Sequence, residues 1–574
     1  MPRWNTGSAT VSTPVSDDYR IAALQNTPGA TEHWQPGTTL TYSFPTRTAV
    51  FDGGWSYGGG EIAAGWQPLA TAQQEAVRSA LNTWERVANV KFVEVSETGA
   101  DVGDLRFGFT KAMFPGAVAH AYLPQNESAL AGDVWLTWDW RNDRLAPTQV
   151  HTAAASYDSD EYYAYGTLIH EIGHALGLSH PFEEAGRERA TNPLPGWEDH
   201  VSNTIMSYDW SDWLGGLMPA VTPMPYDILA IQHLYGPNTR YEARDTIWSY
   251  DIGTAAVSTL WDAGGIDTLK VINTHNAPFP DLENSQWSLV DLAEGAGSII
   301  GFVNGSVYEM TEIHNGQIVR PYGFSPNVFI AYGTVIENAI GSAGPDMLYG
   351  NAYNNRLDGG GDDRQDQIDG RDGLDTAVYS ARRSDYELKR ATPPANPDDP
   401  WLGDIEARKE YTVTRKGTDP KLSQDWLVNI ERLAFSDKNV ALDLQVGEAS
   451  ATAVGLVTAL LGRQALSDEA LMGALIHHAD FMDARSMAEV LVNSGTTAIL
   501  AGGGSDADLV QLLYRNVIGH APSAHERQVI VDDAHAHGFS QADIVSVIAG
   551  LPQTFARADL VGLQQQGLTY LEYA

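Results

Sequence analysis

His170-Glu171-Ile172-Gly173-His174-Ala175-Leu176-Gly177-Leu178-Ser179-His180 places three imidazoles and a carboxylate in one short run of the chain. On a helix, residues four apart leave from one face about one turn apart, so His170 and His174 can share a metal. Glu171 cannot easily reach that metal, but it can hold a metal-bound water and take its proton. Gly177 can adopt positive φ and end the helix, turning the chain back so that His180 becomes the third ligand. Three imidazoles leave a fourth position open, which separates a catalytic zinc from a structural one. With 16 His and 55 Gly in 574 residues, the full H-E-x-x-H-x-x-G-x-x-H pattern arises by chance on the order of once in 10⁴ such chains. A helix with scattered polar residues is therefore a poor account of it.

Around this run the periodicity alternates between helix and strand. The spacing predicts the metal helix over 161–176 and a second helix over 72–87, where Ala76, Val77, Ala80, Leu81, Trp84 and Val87 share a face. Residues 39–44, 90–95, 105–109, 117–123 and 133–136 read as strands. Together these describe helices packed on a twisted sheet. Residues 226–235 form a closing helix capped by Gly236, and 181–202, rich in Pro, Gly and charge, read as a loop walling the cleft.

A chain of 574 residues exceeds one core, and about three domains are expected. The absence of cysteine excludes disulfides and thiolate zinc sites, leaving histidine and carboxylate as the strong metal ligands. A net charge of −38 argues against nucleic acid or an anionic membrane as partner. No apolar run approaches a membrane span, and the N-terminus lacks the apolar core of a secretory signal peptide.

Past residue 240 the composition shifts to Gly, Asp and short strands. Residues 341–378 carry nonapeptide repeats of the G-G-x-G-x-D-x-U-x kind, whose glycine turns offer carbonyls and whose aspartates offer carboxylates to Ca²⁺. Residues 341–349 keep the pattern with Gly344 and Asp346; 350–358 are degenerate, with Tyr353 and Asn355 at glycine and aspartate positions. Two extra residues precede Asp366, and 370–378 return to pattern with Gly373 and Asp375. Leu348, Leu357 and Ile368 keep the inward apolar position, which a flexible linker would not. Roughly three to five Ca²⁺ are expected in this half. From about residue 449 the strands stop, and helical spacing recurs at 456–461, 470–478, 487–492, 509–517, 524–535 and 541–549.

The zinc motif, followed by Asn203-Thr204-Ile205-Met206-Ser207-Tyr208-Asp209, resembles the metzincins, and more narrowly the serralysin family of secreted bacterial zinc endopeptidases. The resemblance implies that Met206 floors the zinc site in a methionine turn and that Tyr208 supports the oxyanion. It makes Ala119, His120, Ala121 and Tyr122 the sheet edge above the cleft, to which an extended peptide adds as a strand. His120 is then a rim residue, since the zinc already has its ligands. Residues 261–269 resemble the first calcium turn of the serralysin C-terminal domain, which would make Thr246, Asp262, Gly264 and Asp267 ligands, with Glu337 serving a neighbouring ion. Residues 425–437 resemble the β cap of such rolls. The family also implies polypeptide substrates and secretion through an ABC-type exporter, although residues 569–574 depart from the usual acidic-aliphatic terminus. Residues 509–522 resemble a helical domain found on secreted and surface-layer-associated bacterial proteins, which suggests a cell-surface partner for the tail.

The expected architecture is thus multidomain α+β. Residues 1–35 are a possible propeptide and 36–240 a metzincin catalytic domain. Residues 241–446 are a calcium-binding parallel β-roll or β-sandwich with its cap, and 447–574 an α-helical domain. The expected activity is hydrolysis of extracellular polypeptides with Zn²⁺ at the centre and structural Ca²⁺, without nucleic acid and without membrane insertion. The competing reading is a calcium-dependent surface-attachment protein whose protease domain is vestigial or self-processing.

Overall fold

The computed structural model describes residues 9–25, 30–54, 57–99, 101–126, 128–145, 159–182, 193–209, 220–252, 256–273, 288–300, 311–314, 317–321, 326–361, 364–391, 408–420 and 423–573. Residues 183–192 of the expected 181–202 loop lie outside them. The chain separates into two compact units, Met1–Asn338 and Ala339–Ala574.

The first unit begins with β1 (Thr10–Pro14), α1 (Tyr19–Ala22) and β2 (Ala30–Trp34), with β1 and β2 antiparallel. Its main sheet is built from β3 (Thr39–Ser43), β5 (Lys91–Glu94), β6 (Leu105–Thr110), β7 (Ala119–Ala121) and β8 (Val134–Thr137) in the order β5-β3-β6-β8-β7. Pairing is parallel until β7, which lies antiparallel to β8 and forms an outer edge. Between β3 and β5 come α2 (Glu61–Ala64), β4 (Trp66–Pro68), antiparallel to β6, and α3 (Thr71–Val87). α4 (Ser159–Leu176) and α5 (Pro225–Tyr235) complete the helical layer.

Alternation along the sheet edge decides what faces the helices. Ala119, Val134 and Leu136 join the main core with Trp84, Leu168 and Ile172, whereas His120 lies opposite Trp135, which is buried on the other face with Phe51 and Tyr57. Trp84 of α3 is fully buried and donates its indole N–H to the Ile169 carbonyl at 3.2 Å, which sets α4 against α3.

From β1 onward the N-terminal segment, expected as a possible propeptide, is built into this unit. Leu24 and Trp34 are buried in its core. The Ser179 amide donates to the Leu24 carbonyl at 2.9 Å, and the Trp34 indole to the Ala175 carbonyl at 2.9 Å. Later in the unit, Ile247–Asp251 pairs in parallel with Thr268–Ile272, and Ser258–Leu260 with Val328–Ile330.

The second unit alternates between two sheets. Asp346–Tyr349, Gln367–Asp369 and Gln424–Val428 run parallel in one; Arg356–Asp358, Thr376–Val378 and Arg432–Ala434 run parallel in the other. Leu348, Leu357, Ile368, Ala377, Leu427 and Leu433 are buried at equivalent places. Each stack is finished by antiparallel strands: Tyr411–Arg415 and Tyr386–Arg390 on the first, Asn439–Ala441 and Leu568–Tyr570 on the second. The helices from Ala449–Leu461 to Leu560–Gln566 share one core. The periodicity missed Thr496–Ala501, Pro552–Ala558 and Leu560–Gln566, all of seven residues or fewer. The tail is not set apart from the strands: Leu568–Tyr570 returns to pair with Asn439–Ala441, and Arg432 is buried between Asp443 and Asp480.

Candidate active site

α4 delivers His170, Glu171 and His174, and ends where Gly177 takes φ 109°. The Leu178 amide then donates back to the Gly173 carbonyl at 3.0 Å, and the reversed chain brings in His180. A Cβ at Gly177 would lie 3.1 Å from the Glu32 carbonyl, so the turn needs glycine for space as well as for φ.

His170 Nδ1 lies 2.7 Å from the Ile205 carbonyl and His174 Nδ1 lies 2.8 Å from the Leu178 carbonyl. A carbonyl only accepts, so each Nδ1 carries the proton and each Nε2 presents a lone pair. Burial pushes His170 down to about 4, against the Ile205 carbonyl, which holds its ring neutral. The Nε2 atoms of His170 and His174 both lie 3.1 Å from that of His180. Converging lone pairs at this spacing repel unless a cation lies among them, so the donor set fits zinc. Among the described residues these three form the group of metal-ligating side chains whose donor atoms lie within 4.8 Å of one another.

Glu171 is 5% exposed, its Oε2 has no hydrogen-bond partner, and burial pushes its carboxyl up to about 8. Met206 is fully buried; a Cβ at Gly173 would approach its sulfur to 2.8 Å, so this glycine makes room for the floor of the site. Tyr208, 60% exposed, stacks on His170 with ring centroids 5.7 Å apart and lies 4.6 Å from His180. Phe182 stacks on the other ring, 5.0 Å from His180.

Sequence reasoning missed the support of the methionine turn. Asp227 of α5 accepts from Thr204 Oγ1 at 2.5 Å and from the Ile205 and Met224 amides at 2.7 and 2.8 Å. Burial pushes its carboxyl up to about 7 even against these donors. It therefore fixes the segment whose Ile205 carbonyl orients His170. Gly173, Phe182, Leu24 and Trp34 were also missed. All but Gly173 act from outside the ligand pattern.

On the sheet edge, Ala119 faces the core, while His120 and Tyr122 converge on Glu61 at 3.0 and 2.6 Å. The expected calcium positions fall on glycine turns. The Gly264 amide donates to Asp262 at 2.9 Å, the Thr246 amide to Asp267 at 2.7 Å, and the Asp267 amide to Glu337 at 2.7 Å. Burial pushes Asp267 up to about 7, with the charges of Asp262 and Glu337 adding to it. In the second unit the Asp346 amide donates to Asp366 and the Asp366 amide to Asp425, both at 2.9 Å. The Asn355 amide donates to Asp375 at 2.7 Å, and the Asp375 amide to Glu431 at 2.8 Å. Gly373 takes φ 134°, where a Cβ would lie 2.5 Å from the Tyr353 carbonyl; at Gly344 the amide donates to Ser342. Asp267 and Asp375 each keep one buried carboxylate oxygen without a hydrogen-bond partner. Buried acceptor-only clusters beside glycine carbonyls fit a hard cation. Asp425 and Glu431 extend these ladders and were not expected.

Residues 67–186 match the matrixin family. The chain is similar to a serralysin of Proteus mirabilis, 29% identical over 350 residues, which is 55% of this chain and 60% of that protein. It is also similar to serralysin A of Dickeya chrysanthemi, 35% identical over 305 residues (50% and 54%), and to the metallopeptidase AprA of Pseudomonas marginalis, 32% identical over 303 residues (49% and 54%). The chain thus spans little more than half the length of the curated relatives it matches. These similarities support a zinc metalloprotease of serralysin type, and the three histidines fit its zinc site. No helix among the described residues is long and apolar enough to cross a membrane.

Proposed function

We propose that this chain is a secreted zinc endopeptidase acting on extracellular polypeptides. The observation that carries the reading is the convergence of three Nε2 lone pairs, two of them oriented by backbone carbonyls, beside a buried carboxylate with an unpartnered oxygen. His170, His174 and His180 would hold a zinc ion, which would supply Lewis acidity to a water and to the scissile carbonyl.

The chain's own residues do the rest. Glu171 takes the proton of the attacking water and passes it to the leaving amine, a role suited to a carboxyl in a desolvated pocket. Tyr208 donates its hydroxyl to the developing oxyanion. The free edge of β7 aligns the substrate main chain as an added strand. Met206 keeps water from beneath the site, and Asp227 holds the turn that orients His170.

The Asp/Gly turns around Asp262, Asp267, Asp346, Asp366 and Asp375, together with Glu337, Asp425 and Glu431, would hold Ca²⁺ in an RTX-type roll. Such a roll orders where Ca²⁺ is millimolar, as outside a cell, after export through an ABC-type channel. The helices beyond 447 would offer a surface for a cell-envelope partner.

Hydrolysis of an unfolded protein by the Ca²⁺-loaded chain, with and without a zinc chelator, tests the reading. Glu171→Gln is expected to keep its zinc and lose ~10²–10⁴-fold in kcat/KM. Turnover unchanged by chelator, or wild-type turnover in Glu171→Gln, overturns it.

A further inference from the structure

Beside the edge strand lies a cavity of about 720 Å³ that the catalytic reading does not use. Its walls include Glu61, His120, Tyr122, Phe114, Met113 and Glu32, and among the described residues no lysine or arginine lines it. It lies on the face of the sheet away from α4, because His120 and Tyr122 alternate with Ala119 and Ala121, which pack on the helix side.

Glu61 is 1% exposed. One of its oxygens takes His120 Nε2 at 3.0 Å and the Tyr122 hydroxyl at 2.6 Å; the other has no hydrogen-bond partner. Three consecutive glycines, Gly58 to Gly60, lead into it. A Cβ at Gly58 would lie 2.5 Å from both the free Glu61 oxygen and the Tyr122 hydroxyl, which in turn accepts from the Gly59 amide at 2.9 Å. The glycine backbone is thus drawn tight over a carboxylate. Burial pushes Glu61 up, but the His120 and Tyr122 hydrogen bonds outweigh it and hold the carboxyl below its ordinary range. Glu32, half-buried, adds a second carboxylate, one oxygen of which is held by Thr10 and by the Asn126 amide. Phe114, 61% exposed, stands edge-on to His120 with ring centroids 6.3 Å apart.

We infer that this cavity is a specificity subsite for a lysine or arginine side chain of a peptide paired with β7. A strand added to the free edge of β7 points every second side chain to the face of His120 and Tyr122. A long cationic side chain there lays its stem along Met113 and Phe114 and its charge toward two carboxylates that, among the described residues lining the cavity, no lysine or arginine faces. A neutral side chain gains no such attraction, and an acidic one is repelled. The inference rests on the endopeptidase reading for its substrate, but the recognition can be read without turnover.

A positional-scanning peptide library is cleaved by the wild-type chain and by Glu61→Gln, Glu32→Gln and the double variant, with zinc content checking each fold. At one position on the β7 side of the scissile bond, Lys and Arg are expected over Gln by ~10–100-fold in kcat/KM, carried mainly by KM. In the double variant the ratio is expected to fall below ~3-fold. Glutamine keeps the shape and the acceptor oxygen, so a merely structural role would leave the ratio intact. No basic preference at any position, or one that survives both substitutions, overturns the inference. If the wild-type chain cleaves nothing, binding of arginine- and glutamine-containing members to Glu171→Gln, with and without the two substitutions, gives the same comparison. Equal affinities there overturn the subsite whatever becomes of the enzyme.

Discussion

The histidine cluster and the acidic turns hold their donors by different means. At the cluster, side chains converge from one helix and one reversed turn, and two of the three rings are aimed by carbonyls: Ile205 for His170, Leu178 for His174. At the turns, a carboxylate on one strand accepts the amide of the aspartate on its neighbour, as Asp425 does for Asp366 and Asp366 for Asp346. The first arrangement is rigid before any metal arrives, because its supports belong to a buried core. The second stacks carboxylates that repel one another: burial and the charges of Asp425 and Asp346 push Asp366 well above the ordinary carboxylate range. A preorganised site loses function when one donor goes, whereas a stacked one loses stability by steps.

His174→Ala cuts deepest into this contrast. Removing a donor is expected to lower zinc affinity by more than the ~10–100-fold typical of an outer partner, and to abolish cleavage with it. The calcium-dependent melting transition is expected to persist, since none of its carboxylates lies on α4. Equilibrium dialysis against zinc and scanning calorimetry read the two effects; a variant that keeps full zinc breaks the contrast. Calcium removal is next. A site at 100 times its Kd stabilises by ~2.7 kcal/mol, or about 5–10 °C for a unit of this size. Asp425→Ala should forfeit a comparable share and leave zinc content unchanged. A melting curve indifferent to Ca²⁺ would remove the turns from the comparison.

The same contrast explains what could be read in advance. The zinc ligands are spaced by helix geometry within a few turns, so a local pattern encodes them, and Met206 follows at short range. Their supports come from far along the chain. Asp227, Leu24 and Trp34 carry no signal beyond that of ordinary core or capping residues. The repeats were legible only while their period held. A hairpin, Tyr386–Arg390 with Tyr411–Arg415, separates Asp366 from Asp425, which hid the next rung of the ladder. The pairing of Leu568–Tyr570 with Asn439–Ala441 was equally hidden, because a strand of three residues shows no periodicity. His120 could be placed at a sheet edge, but its partner Glu61 lies 59 residues away in sequence.

Two smaller effects test how rigid the zinc floor is. At Gly173, alanine gains about 1 kcal/mol of helix propensity, but its Cβ would lie 2.8 Å from Met206 Sδ and 3.2 Å from the buried Trp84 ring. Overpacking of that kind costs about 1–3 kcal/mol. Since the indole cannot retreat from a packed core, Gly173→Ala is expected to lower stability by up to about 2 kcal/mol and to weaken zinc binding. A variant more stable than wild type would mean that the floor gives way.

Asp227 gives the finest measure. Its folded carboxyl sits at about 7, pushed up by burial, above the roughly 3.9 of an unfolded aspartate. A raised carboxyl favours the protonated fold, so its contribution is complete below about pH 4 and is lost as pH rises through 7. The unit holding α5 should therefore lose stability between about pH 4 and 7, by at most about 1.4 kcal/mol per pH unit, and level off above 7. Asp227→Asn cannot ionise yet keeps an oxygen for the Ile205 and Met224 amides, so its melting temperature should be flatter across that window. If both proteins melt in parallel from pH 4 to 7, the three donors hold Asp227 ionised, and the methionine turn hangs on a charge that burial has not neutralised.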